Sequence, residues 1–151
     1  MTAIGIDTSF LVAVEAAGHA RGFDARELLD RFAADEQPLA LNPDVLAEFV
    51  HVMTDPKRLE DPLTVASAIE RAEFWWTASD VIPTFVTAQS TELFLQWIKQ
   101  HRLGRKRLRD TMLAAAYFSA GVSRIVTLNA KDFEVFGCFE IIVPPPAAPS
   151  A

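Results

Sequence analysis

The stretch Ala3-Ile4-Gly5-Ile6-Asp7-Thr8-Ser9-Phe10-Leu11 passes from an apolar run, through one carboxylate and two hydroxyls, into a second apolar run. A short apolar run bounded this way reads as a buried strand from Ala3 to Asp7. Thr8 or Ser9 can cap a helix to about Ala17. Working outward, strand and helix signals alternate. A helix is expected from Phe23 to Ala34, with Leu28, Leu29 and Phe32 on one face, and a strand over Pro38 to Leu41. Asn42-Pro43 supplies a cap and a first-turn proline for a helix to about Thr54. Asp61-Pro62 repeats that signal for a helix ending near Trp76. A strand at Val81 to Phe85, a helix from Thr87 to His101, an apolar helix opened by Asp110 and a strand over Arg124 to Leu128 follow. A helical turn at Ala130 to Val135 and a strand at Glu140 to Val143 complete the pattern. Strands separated by helices predict an α/β fold, a three-layer α/β/α sandwich around a mainly parallel sheet. Residues 1–143 form its domain, and the Pro/Ala-rich residues 144–151 read as an extended tail.

Four acidic residues, Asp7, Glu48, Asp110 and Asp132, each stand beside one of these hydrophobic elements. Carboxylates seldom border buried elements unless paired, hydrogen-bonded or bound to a metal. In parallel sheets ligands bind beyond the carboxyl ends of the strands, and Asp7, Asn129 and Asp132 all follow strand ends. Glu48 lies just beside the apolar arc formed by Val45, Phe49 and Val52, at the border of the core. The Asp110 helix is apolar almost all round and so is expected to be central. Brought together, four carboxylates repel one another, and a hard divalent cation relieves that repulsion.

Composition narrows the class. With 50% hydrophobic and 23% charged residues the chain is globular, and 151 residues suffice for one well-buried core. No apolar run is long enough to span a membrane, and the start lacks a signal-peptide pattern. Cys138 is the only cysteine, which excludes a disulfide framework and a thiolate metal cluster and makes the cytoplasm the expected location. The formal charge of -6 is unlike that of a general nucleic-acid binder. Yet six of the 14 basic residues, Lys99, Arg102, Arg105, Lys106, Arg107 and Arg109, fall in one run leading into Asp110. Phe74, Trp75 and Trp76 adjoin, so at least one aromatic is expected to face a partner or a groove.

Four segments carry a resemblance. They are Ile4-Gly5-Ile6-Asp7-Thr8-Ser9-Phe10-Leu11, Val45-Leu46-Ala47-Glu48-Phe49, Arg109-Asp110-Thr111-Met112-Leu113-Ala114-Ala115-Ala116 and Thr127-Leu128-Asn129-Ala130-Lys131-Asp132-Phe133. In this order and spacing the chain resembles the PIN-domain proteins, specifically the small VapC-type toxins of toxin–antitoxin pairs. The resemblance spans Ala3 to Val143. It implies a metal-dependent endoribonuclease, often a homodimer, acting on an RNA substrate and inhibited by a cognate antitoxin. Asp7, Glu48 and Asp110 match the family's three acidic positions, and Asp132 matches its more variable fourth. Thr127 and Asn129 match polar positions near them.

Phosphodiester hydrolysis requires charge neutralised on a phosphate and a water made nucleophilic, and Mg²⁺ or Mn²⁺ does both. Asp7 and Asp110 are then the principal ligands, Glu48 a further ligand or the group orienting the water, and Asp132 a ligand of a second ion or an outer-shell acid. Thr8, Ser9, Thr127 and Asn129 support the carboxylates. Arg102, Arg105, Lys106, Arg107, Arg109 and Lys131 are expected to lead the RNA backbone in. His19, His51 and His101 have no zinc-like spacing. A haloacid-dehalogenase-like phosphatase would need an Asp where Ser9 stands, and a dinucleotide-binding domain would need a glycine-rich first turn. A housekeeping RNA-processing nuclease and a non-catalytic RNA- or protein-binding relative of the same fold remain the alternatives.

Overall fold

The computed structural model describes residues 2–146, and the expected tail lies outside them from residue 147 onward. Five short strands, β1 (Ile4–Ile6), β2 (Leu39–Leu41), β3 (Val81–Pro83), β4 (Arg124–Val126) and β5 (Glu140–Ile142), form one sheet in the order β3-β2-β1-β4-β5. All four pairings are parallel, with Ile4 opposite Leu39 on one side and Arg124 on the other. Parallel neighbours require crossover connections, supplied by α1 (Thr8–Glu15), α2 (Gly22–Ala34), α3 (Pro43–Met53), α4 (Val65–Thr77), α5 (Ala88–Gln100), α6 (Leu108–Ser119) and α7 (Lys131–Glu134). Both faces of the central strands are covered, which is why β1 and β2 are apolar and buried at every residue rather than alternating. The α/β/α sandwich expected from the alternation is the fold observed.

The chain runs outward from β1 through β2 to β3, then returns along α5 and α6 to place β4 on the other side of β1. That reversal makes the gap between the carboxyl ends of β1 and β4 the topological switch point. The central helix α6 lies across these strands. Its Ala114, Ala115 and Ala116 are buried, and its Tyr117 hydroxyl donates to the Ile6 carbonyl (2.5 Å) and lies 3.3 Å from that of Ala40. The Tyr117 ring passes so close to β1 that a Cβ on Gly5 would stand 2.7 Å from its Cδ2. Glycine is required there by proximity. Behind α6, Trp97 stacks on Phe136 (4.7 Å between centroids), and Phe118 and Phe139 pack edge-on against Trp97.

Local expectations differ from the structure in a few places. Helix α4 begins at Val65, where the Thr64 side chain accepts from the Ser67 N–H, and not at Asp61-Pro62. The residues between are tied back to α3, since Leu63 N–H donates to the Met53 carbonyl. The cap position of α1 is Asp7 rather than Thr8 or Ser9, and it makes no side-chain cap bond, because its carboxylate is turned toward other donors. Asn42 caps α3 as expected, accepting from Asp44 N–H at 3.0 Å. Of the three adjoining aromatics, Trp75 is buried with its Nε1–H donating to Glu15, Trp76 packs against Phe85, and Phe74 is 55% exposed with the Arg71 guanidinium over its ring. Among the described residues no helix is long and apolar enough to cross a membrane.

Candidate active site

Asp7 leaves β1 at the switch point, its N–H donating to the Val126 carbonyl of β4 (3.0 Å). Its carboxylate is held by two hydroxyls whose directions are themselves determined. Ser9 Oγ accepts from Leu128 N–H (3.0 Å) and Thr127 Oγ1 accepts from Asn129 N–H (3.0 Å). Each hydroxyl therefore points its single proton elsewhere, and both reach Asp7 Oδ2, from Ser9 at 2.9 Å and from Thr127 at 2.7 Å. Burial raises the Asp7 pKa. Hydrogen bonds from Thr127, Ser9 and the Thr8 backbone oppose that rise, and nearby Glu48 adds to it. Burial prevails, so the site disfavours a lone carboxylate charge, a preference that a neighbouring cation would reverse.

Asp110 sits in the first turn of α6, facing the same point. Burial first, then the charges of Asp132 and Asp7, push its pKa up to about 7, with Arg107 pulling the other way and Glu48 adding a little. The fold thus makes Asp7, Glu48, Asp110 and Asp132 electrostatic neighbours although they come from four different elements. Glu48, half-buried on α3, meets Arg109 Nη1 at 3.3 Å, and the same guanidinium reaches Asp44 Oδ1 at 3.2 Å. Asp44 was not singled out from the sequence; its position one turn before Glu48 was the available signal. Asp132 lies in the first turn of α7, and Arg107 Nη2 donates to its backbone carbonyl (2.5 Å).

The supporting residues act differently from one another. Ser9 and Thr127 bond the Asp7 carboxylate directly. Thr8 contributes through its backbone, and Asn129 through the N–H that orients Thr127. Of the basic residues, Arg107 and Arg109 are engaged at the acidic rim. Lys99, Arg102, Arg105, Lys106 and Lys131 are exposed, and none forms an ion pair among the described residues.

The donor set is all oxygen. Among the described residues no group of three or more His, Cys, Asp or Glu side chains forms a ready-made metal cage. Such an all-oxygen set lacks the nitrogen and sulfur ligands of a closed structural zinc site. It fits a magnesium-type ion, which keeps several waters and takes one or two carboxylates together with phosphate oxygens.

Residues 4–136 match the PIN domain family model. VapC20 of Mycobacterium tuberculosis, described as a sarcin–ricin-loop-cleaving toxin, shares the fold at TM-score 0.67 and 24% identity, over 95% of this chain and 100% of that one. The DNA-bound VapBC of Salmonella typhimurium aligns at TM-score 0.65 and 18% identity over 96% and 100%, and FitAcB of Neisseria gonorrhoeae at 0.65 and 16% over 93% and 97%. No curated protein matches the chain in sequence. A parallel sheet whose switch point gathers acids from β1, α3, α6 and α7, and a family match covering all four of them, make this chain a member of the PIN domain family.

Proposed function

We propose that this protein is an endoribonuclease dependent on Mg²⁺ or Mn²⁺, and that it is the toxin of a toxin–antitoxin pair. The observation that carries the nuclease reading is the convergence of Asp7, Glu48, Asp110 and Asp132 at the switch point, where burial first and then the neighbouring carboxylates push Asp110 up to about 7. An acidic cluster that Arg107 and Arg109 offset only in part, in a family of nucleases, is best explained by a divalent cation that neutralises the rest. The toxin reading rests on the structural neighbours, several of which are toxin–antitoxin complexes. By analogy the partners are a cognate antitoxin and a second copy of the chain.

Asp7 and Asp110 would hold the ion, with Glu48 and Asp132 beside them. The bound ion would supply charge neutralisation on the phosphate and an acidified water. Ser9 and Thr127 keep the Asp7 carboxylate in one orientation, so little reorganisation is needed when an ion arrives. Glu48, once released by Arg109, can accept a proton from the attacking water. Arg109, freed in turn, can meet a phosphate oxygen.

The test is RNA cleavage by purified wild type, Asp7→Asn and Asp110→Asn, with and without Mg²⁺ or Mn²⁺. Both variants are expected to stay folded and lose activity by orders of magnitude. Undiminished cleavage by folded Asp110→Asn overturns the assignment. For the toxin reading, expression alone should arrest growth, and a neighbouring small protein should relieve it.

A further inference from the structure

We propose that the cleft beside the acidic centre is a nucleobase subsite, receiving one base next to the phosphate that is cut. This rests on the ribonuclease reading and deepens it. The cleft has a volume of about 320 Å³, with apolar walls that include Val86, Phe94 and Met112 and a polar side formed by Asn42, Asp44 and Arg109. That is near the small end of ligand sites, suited to one flat heterocycle. Two of its polar residues belong equally to the acidic centre, because Arg109 spans Asp44 and Glu48. A phosphate carried by a base in the cleft can therefore meet Arg109, the residue that pairs with Glu48.

The second observation is Asn42. It is 2% exposed, and its Oδ1 accepts from Asp44 N–H, which determines which way the amide is turned. Its Nδ2 is buried without any hydrogen-bond partner. Buried donors without acceptors are rare in native proteins and need a reason. Every nucleobase carries ring-nitrogen or carbonyl acceptors on its edges, and its face can pack on Phe94. A protein side chain of a second copy would be the other occupant of an apolar cleft. The stranded amide donor and the shared arginine favour a ligand with acceptor atoms and a phosphate.

The probes are the four nucleoside 5′-monophosphates and ribose 5-phosphate, titrated into the full chain and followed by NMR shifts or calorimetry. At least one nucleotide should bind about tenfold more tightly than ribose 5-phosphate, the size expected for one stacked base. Asn42→Ser keeps an oxygen able to cap α3 but removes the amide donor. It should abolish most of that advantage and leave ribose 5-phosphate binding unchanged. Phe94→Ala, away from the cap, should do the same if Asn42→Ser fails to fold. Equal binding of ribose 5-phosphate and all four nucleotides overturns the proposal. So does a Phe94→Ala variant that turns a dimer into a monomer with no effect on nucleotides, which would make the cleft a subunit contact. Divalent-dependent RNA cleavage without a base advantage leaves the nuclease standing and removes the subsite. A base advantage in a protein that cuts no RNA does the reverse.

Discussion

Thr127 Oγ1 donates to Asp7 Oδ2 at 2.7 Å, joining residues 120 positions apart at the carboxyl ends of β1 and β4. The bond exists because these strands are neighbours in the sheet, and because Asn129 N–H occupies the acceptor side of the same hydroxyl. Replacing Thr127 with Val preserves shape and removes the donor. Asp7 then keeps only the Ser9 hydroxyl and the Thr8 backbone, and the Asn129 N–H loses its acceptor. Lost outer partners of a metal ligand reduce affinity or activity by roughly 10- to 100-fold. Manganese affinity and cleavage rate of Thr127→Val should both fall within that range. A variant with wild-type manganese affinity would show that Asp7 does not depend on Thr127.

The pH response follows from Asp110. Its folded pKa of about 7 lies above the ordinary 3.8, so folding favours the neutral acid. Between those values the native protein binds more protons than the unfolded chain, and stability falls as pH rises through that window. Asp7 is shifted in the same direction. Without divalent cations, the melting temperature of wild type relative to Asp110→Asn should therefore decline from about pH 4 to pH 7. Manganese should restore stability most at the upper end, where the carboxylates are charged. A difference between the two proteins that does not vary with pH would contradict the raised value.

Arg109 is a resident counter-charge for Glu48, at 59% side-chain exposure. An exposed pair contributes little to stability, under about 1 kcal/mol. Arg109→Gln is thus expected to leave the melting temperature nearly unchanged. Removing one positive charge from beside the acids should tighten manganese binding about threefold to tenfold. Binding of an uncleavable RNA should weaken at the same time. Weaker manganese binding in this variant would mean that Arg109 organises the acids instead of competing for them.

The basic run divides by contact. Arg107 is engaged with the Asp132 carbonyl, so changing it would disturb the site itself. Arg102, Arg105 and Lys106 are exposed and outside the ion pairs, which makes them the cleaner test of electrostatic RNA guidance. Replacing all three with Gln should flatten the log–log salt dependence of RNA affinity by about 2, at roughly 0.7 per single-strand phosphate contact. Manganese affinity should be unchanged. A salt slope equal to wild type would mean that RNA enters by another route.

Gly5 and Tyr117 test the frame under the site. Gly5→Ala would place a methyl against the buried Tyr117 ring, whose hydroxyl is anchored on β1. Overpacking of this kind costs about 1–3 kcal/mol. Chemical denaturation should show that loss, and the site acids should be displaced enough to slow cleavage. Full stability would mean that the ring yields without cost.

The amino-acid sequence by itself determined the alternation of strand and helix and the cap at Asn42. It also marked the four acids, because each of these is a local pattern: a run of apolar residues, an amide before a first turn, or a charge where the core begins. It misplaced the start of α4, since Asp61-Pro62 and Thr64 offer equivalent local signals and the tie from Leu63 to α3 chooses between them. Asp44 was legible only as a surface acid until α6 brought Arg109 across to it. Likewise, nothing local distinguishes Arg109, paired with Glu48, from Arg105, which is exposed. Tertiary structure alone decided these matters, along with the convergence of both hydroxyls on one Asp7 oxygen and the stranded Asn42 amide. Each depends on distance between residues far apart in the chain, and that distance is set by strand order and by the packing of α6 on the sheet.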